Sequence, residues 1–176
     1  MELIPALQTG KLIVIHGCTG SSEIISTLIA ELALRAPVHV LDGGNRFAAY
    51  QIMRLIRKRT MDMNTAAGHI ILQRAFTCYQ MLSLLEGIAP GKTPCLALDL
   101  LTTFYDETIP THEARRVLEN CLGHLERLSL SAPMVLTLAQ PKNMERAFFT
   151  DLIMDHADQS VRIEDAAPIA TQPALF

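Results

Sequence analysis

A chain of 176 residues, 49% hydrophobic and 19% charged, is long enough for one globular domain and too apolar for overall disorder. Its net charge of −3 excludes a global basic footprint for nucleic acid, so any DNA contact has to be local. No run approaches about eighteen uninterrupted apolar residues and residues 1–10 lack a basic start, so neither a membrane span nor a secretory signal is expected.

In chain order, apolar strand-like runs alternate with helical patterns. Residues 11–16 (KLIVIH) predict a buried strand. Residues 22–35 predict a helix, with Ile25, Leu28, Ile29 and Leu32 on one face. A strand at 38–42 (VHVLD) is followed by a helix over 47–59 with Ile52, Leu55 and Ile56 inward. A third strand at 69–73 precedes a helix around 79–86, and a fourth strand lies at 94–99. The longest helix is expected over 111–129, with Ala114, Val117, Leu118, Cys121, Leu122, Leu125 and Leu128 inward and Thr111 as its N-cap after Pro110. A fifth strand at 134–139, a short helix near 143–155 and a last strand at 160–164 complete the pattern. Wholly apolar strands separated by helices predict an α/β domain, with a central, mainly parallel sheet covered on both faces. Residues 165–176 carry two prolines and no periodicity, so a flexible tail is expected there.

The four cysteines form no C-x-x-C pair and the six histidines are scattered. Reduced thiols, a cytoplasmic location, no metal and no cofactor are therefore expected.

The segment between the first strand and the first helix stands where a phosphate-binding loop belongs, and it lacks that loop's chemistry. The working pattern is G-x-x-x-x-G-K-[ST]. Gly17, Gly20 and Ser21 fit the frame, but Ser22 replaces the second glycine, Glu23 the lysine and Ile24 the hydroxyl residue. A unit charge pair about 4 Å apart is worth roughly 4 kcal/mol at an effective dielectric of about 20, so Glu23 turns attraction for a triphosphate into repulsion. An acid in the first turn of a helix is also favoured by the helix dipole, which is an ordinary structural reason for Glu23.

Five segments in order then resemble the ATPase core of the RecA/RadA recombinases and their KaiC-type relatives. They are the loop at 17–24, the strand end Val40-Leu41-Asp42-Gly43-Gly44-Asn45-Arg46-Phe47, Arg74-Ala75-Phe76 with Tyr79-Gln80-Met81-Leu82, Leu96-Ala97-Leu98-Asp99 with 102–105, and 157–164. The resemblance implies a single RecA-like P-loop-NTPase-type domain over residues 1–164. It also implies which groups are lost. The family's catalytic glutamate falls on Gly44, its loop lysine on Glu23 and its magnesium hydroxyl on Ile24, while the serine after the Walker-B aspartate is Leu100. Asp99 remains as a residual Walker-B acid, and with no metal site left its ordinary reading is a cap of a neighbouring helix or turn. Phosphoryl transfer needs positioned charge above all, so no ATP hydrolysis is expected.

What the resemblance implies for function is an accessory or mediator protein of DNA repair or recombination, acting by contact with itself, a RecA-like recombinase or a repair partner. A regulatory interaction protein, such as a SulA-type cell-division inhibitor or a KaiC-type signalling relative, is the alternative. Arg54, Arg57, Lys58 and Arg59 form the densest basic cluster, a candidate contact to DNA or a partner and also an ordinary dipole-favoured helix end. Tyr50 is the lone aromatic beside them, so no stacking platform is expected. In the tail, Gln172, Leu175 and Phe176 resemble the sliding-clamp-binding peptide Q-x-x-L-F, with Pro173 where leucine is usual. An altered site using Cys18 beside His16 is a third reading, since a helix N-terminus lowers a thiol pKa.

Overall fold

Parallel strands cannot be joined by tight turns, so each must be followed by a crossover long enough to return the chain. A computed structural model of the chain describes residues 7–17, 22–141 and 144–163. Its elements follow that rule: β1 (Leu12–His16), α1 (Glu23–Ala33), β2 (Val38–Asp42), α2 (Ala49–Arg57), α3 (Met63–Gly68), β3 (Ile70–Arg74), α4 (Cys78–Gly87), β4 (Cys95–Leu98), α5 (Thr111–Ser129), β5 (Met134–Leu138), α6 (Phe148–Asp155) and β6 (Gln159–Arg162). The described strands form one six-stranded sheet in the order β3-β2-β4-β5-β1-β6. Every pairing is parallel, with Leu12 opposite Met134 and His39 opposite Cys95.

Alternation along the strands splits the interior into two cores. Leu12, Val14, Ala97, Met134 and Leu136 face α4, α5 and α6, whereas Ile13, Ile15, Leu96, Leu98 and Val135 face α1, α2 and α3. The domain is thus α/β with helices on both faces of the sheet. On α5 the seven expected apolar residues are all buried. Each leucine among them contributes about 1.5–3 kcal/mol by leaving water. Among the described residues, no helix is long and apolar enough to cross a membrane.

Several expectations change. α5 is capped by Pro110 rather than Thr111: Pro110 has ψ of 140°, outside the helix, and its carbonyl accepts from the Glu113 and Ala114 N–H groups at 3.0 Å. α2 starts at Ala49 instead of residue 47, because the Asp42 carboxylate takes the Arg46 and Phe47 N–H groups and holds them in a loop. β3 runs one residue later than expected and is half-exposed, since it is an edge strand paired only with β2. The helix expected near 143–155 divides into a 3-10 turn, Met144–Arg146, and α6. Residues 164–176, with the expected tail and its Gln172, Leu175 and Phe176, lie outside the described residues.

Candidate functional site

The carboxyl ends of the strands gather the residues singled out by motif. At the end of β1, Gly17 has φ of +87°, and a Cβ there would stand 2.5 Å from the Ile163 carbonyl oxygen. Left-handed backbone and the close approach of the chain after β6 both call for glycine, a structural need independent of any phosphate. The Ser22 hydroxyl accepts from the Ile25 N–H at 3.4 Å and caps α1. Glu23 is exposed in the first turn and Ile24 is 38% exposed, so neither is held toward the loop by burial. Gly20 and Ser21, with Cys18, lie outside the described residues.

Asp99 follows β4, two strands away from β1 in the sheet. It is 1% exposed and left-handed, with φ of 47° and ψ of 46°, a conformation that costs a non-glycine residue on the order of 1–2 kcal/mol. Thr137 on β5 holds it there. The Thr137 hydroxyl donates to Asp99 Oδ1 at 2.9 Å and accepts from the Asp99 N–H at 2.8 Å. Asp99 opens the 3-10 turn Leu100–Phe104, yet its side chain makes no cap bond to it. The expectation of a simple turn cap is therefore replaced by a strand-to-strand tie.

Asp42, also 1% exposed, ends the neighbouring strand β2. Its carboxylate accepts from the Arg46 N–H at 2.8 Å and the Phe47 N–H at 3.0 Å. Two arginines approach the two acids: Arg74 Nε lies 3.5 Å from Asp42 Oδ2, and Arg46 Nε lies 3.7 Å from Asp99 Oδ2. Gly43 and Gly44 pass directly over Asp99. A Cβ on Gly44 would lie 2.8 Å from Asp99 Cβ and 3.2 Å from its Oδ2. Position 44 therefore has no room for a side chain of any kind while Asp99 stays where Thr137 holds it.

A third feature, absent from sequence reasoning, fixes the loop after Asp99. Arg146 is 4% exposed and donates to the carbonyls of Phe104 at 2.7 Å, Asp106 at 2.8 Å and Ile109. Thr137 and Arg146 were not singled out from the sequence, and Arg46 and Arg74 stood in the resembling segments with no role assigned. Thr137 had a local signal of its own, as the one polar residue in MVLTLA.

The basic cluster lies elsewhere. α2 runs back from the carboxyl edge, so its last turn points toward the amino ends of the strands. Arg54, Arg57, Lys58 and Arg59 are all exposed there. Arg59 reaches Glu31 of α1 at 2.6 Å and is used internally. Near that amino edge, a cavity of about 40 Å³ is lined by His39, Thr93, Cys95 and Met134 among others, room for water and not for a nucleotide. Burial pushes the His39 imidazole below its ordinary value.

Among the described residues, Cys78, Cys95 and Cys121 are free and buried, and no three His, Cys, Asp or Glu side chains converge as metal ligands. Burial lifts the Cys95 and Cys121 thiols to about 12, which makes them inert as nucleophiles at neutral pH. No protein-family model matches the chain, and no curated protein matches it at a meaningful level of similarity.

Proposed function

We propose that the chain is a non-catalytic RecA/RadA-like paralog that acts as an accessory or mediator in DNA repair or recombination, by protein contacts and without hydrolysing ATP. One observation carries the reading. The position that the resemblance assigns to the catalytic glutamate is Gly44, pressed against Asp99 with no space for a side chain. Asp99 itself, the one acid retained from the metal-binding strand, is bound to Thr137 and faced by Arg46, a cation from its own chain. Glu23 and Ile24 complete a site with no lysine and no metal hydroxyl at the usual places. The all-parallel sheet with helices on both faces supports the fold that this ancestry requires. A cytoplasmic protein that assembles with itself or a RecA-like partner belongs to the same reading.

The test is a pair of measurements on the purified chain: release of phosphate from MgATP, and calorimetric titration with MgATP. No turnover is expected. Turnover that disappears in Asp99→Ala would overturn the reading. Crosslinking in cells, followed by mass spectrometry, then separates repair factors, expected here, from a division protein, which would move the chain to the SulA-type class.

A further inference from the structure

The cations of this chain divide by whether they have an acid. Arg46, Arg59 and Arg74 face Asp99, Glu31 and Asp42, and Arg115 and Arg116 pair with Glu119 and Glu113 along α5. Among the described residues Lys11, Arg35 and Lys92 lack an acid too, each standing alone in the sequence, whereas Arg54, Arg57 and Lys58 lack one as a group. Among the described residues none of these last three has a carboxylate within 4.0 Å or any hydrogen bond from its side chain. Arg57 and the C-cap residue Lys58 lie three and four residues after Arg54, on the side of α2 opposite the buried Ile52 and Ile56. Tyr50, 84% exposed, stands one turn before them, and Met61, fully exposed, follows the helix.

We infer that this outer face of α2 docks an acidic, amphipathic segment of a partner protein. Charge complementarity sets the sign: three uncompensated cations lie side by side in a chain of net charge −3. The extent of the stripe sets the class. Tyr50 to Lys58 covers about 12 Å of helix. Asp62 lies just beyond, so a continuous polyanion running past the stripe meets a carboxylate there, whereas a short acidic segment ends before it. The large apolar side chains at the two ends, Tyr50 and Met61, suit apolar anchors that flank the acids of such a segment. The inference gives chemistry to the contact proposed above and rests on that reading only for the partner's role. The stripe is the same whether or not the chain descends from an ATPase.

The probe is a fluorescein-labelled helical peptide of about fifteen residues, with Glu at i, i+3 and i+4 flanked by Leu and Phe. It is compared with the same peptide carrying Gln for Glu, and with a labelled single-stranded oligonucleotide. Anisotropy reads affinity, amide chemical shifts read location, and circular dichroism of each variant reads folding. Saturable binding of the acidic peptide is expected, with shifts on α2. The Arg54→Gln, Arg57→Gln, Lys58→Gln variant is expected to lose at least about tenfold in affinity, and Tyr50→Ala about threefold. Failure of the acidic peptide to bind, equal binding of the Gln peptide, or equal binding by the triple variant overturns the inference. Oligonucleotide binding that the triple variant loses, without peptide binding, assigns the stripe to nucleic acid and also overturns it. ATP turnover with peptide binding intact would sink the proposed function alone.

Discussion

Two sets of cations in this chain, one at the carboxyl edge and one on α2, do opposite things. At the carboxyl edge, Arg46 and Arg74 each sit beside a carboxylate that is 1% exposed or less, and they lie over Asp99 and Asp42. On α2, Arg54, Arg57 and Lys58 stand in water with no acid beside them among the described residues. The first set serves the interior. A buried carboxylate is expensive unless a cation and hydrogen bonds accompany it, so those arginines are part of the cost and the remedy of burying two acids. The second set contributes little to folding, because exposed charges near one another are screened and solvated. A basic residue therefore has to be read with its partner before it is read as a binding residue. By that measure Arg59, bound to Glu31, belongs with the first group although its neighbours in sequence belong with the second.

The contrast is easiest to break at Asp42. Asp42→Ala removes the acceptor for the Arg46 and Phe47 N–H groups and leaves Arg74 without its acid. Arg74 is half in water, so the loss falls short of a wholly buried pair. We expect destabilisation of about 2–4 kcal/mol, read as a shift in the urea midpoint with an unchanged slope. A change under about 0.5 kcal/mol would mean that the carboxylate does not anchor the loop at 43–48. Gly44→Ala ranks next. Its Cβ meets Asp99 Cβ at 2.8 Å and Arg46 Cγ at 3.0 Å, and Asp99 cannot retreat without breaking its bonds to Thr137. The expected cost is about 1–3 kcal/mol. Coupling with Thr137→Val in a double-mutant cycle sharpens the comparison, since releasing Asp99 should relieve part of the clash. Strict additivity would show that the glycine and the threonine do not act on the same carboxylate.

How much of this was legible depends on where the information lies. The bounds of α5 and β2 match their periodicity residue for residue, because seven buried positions on one helix face, and a short aliphatic run ending in an acid, are local signals. α3 (MNTAAG) was missed because Ala66 is its only buried residue, too little for an amphipathic stripe. The edge position of β3 was illegible for a different reason: an apolar run reads the same at the centre of a sheet as at its margin, and only the strand order leaves Ile71 39% exposed. In the site, Gly17, Gly44 and Asp99 were found from motif register. Their reasons were not. Gly17 is needed by the chain after β6, Gly44 by Asp99, and Asp99 is set by a threonine 38 residues away. Arg146 binds carbonyls 37 to 42 residues distant, a contact with no trace in local pattern.

The smallest expected effect tests the other half of the comparison. Arg54→Gln, Arg57→Gln and Lys58→Gln together remove three positive charges from the last turns of α2, where the helix dipole favours cations. That loss is opposed by relief of repulsion among three like charges at neighbouring positions on the helix. Neither term involves a buried group, since Ile52 and Ile56 carry the packing of α2. Stability should therefore stay within about 0.5 kcal/mol of the parent chain, measured by urea titration at low salt where surface charge counts most. Arg59→Gln, which frees Glu31, should cost more than any one of the three taken singly. If instead the triple variant loses more than about 1 kcal/mol in that titration, the three cations are structural, and the distinction between cations used inside the fold and cations left over for a partner fails on this helix.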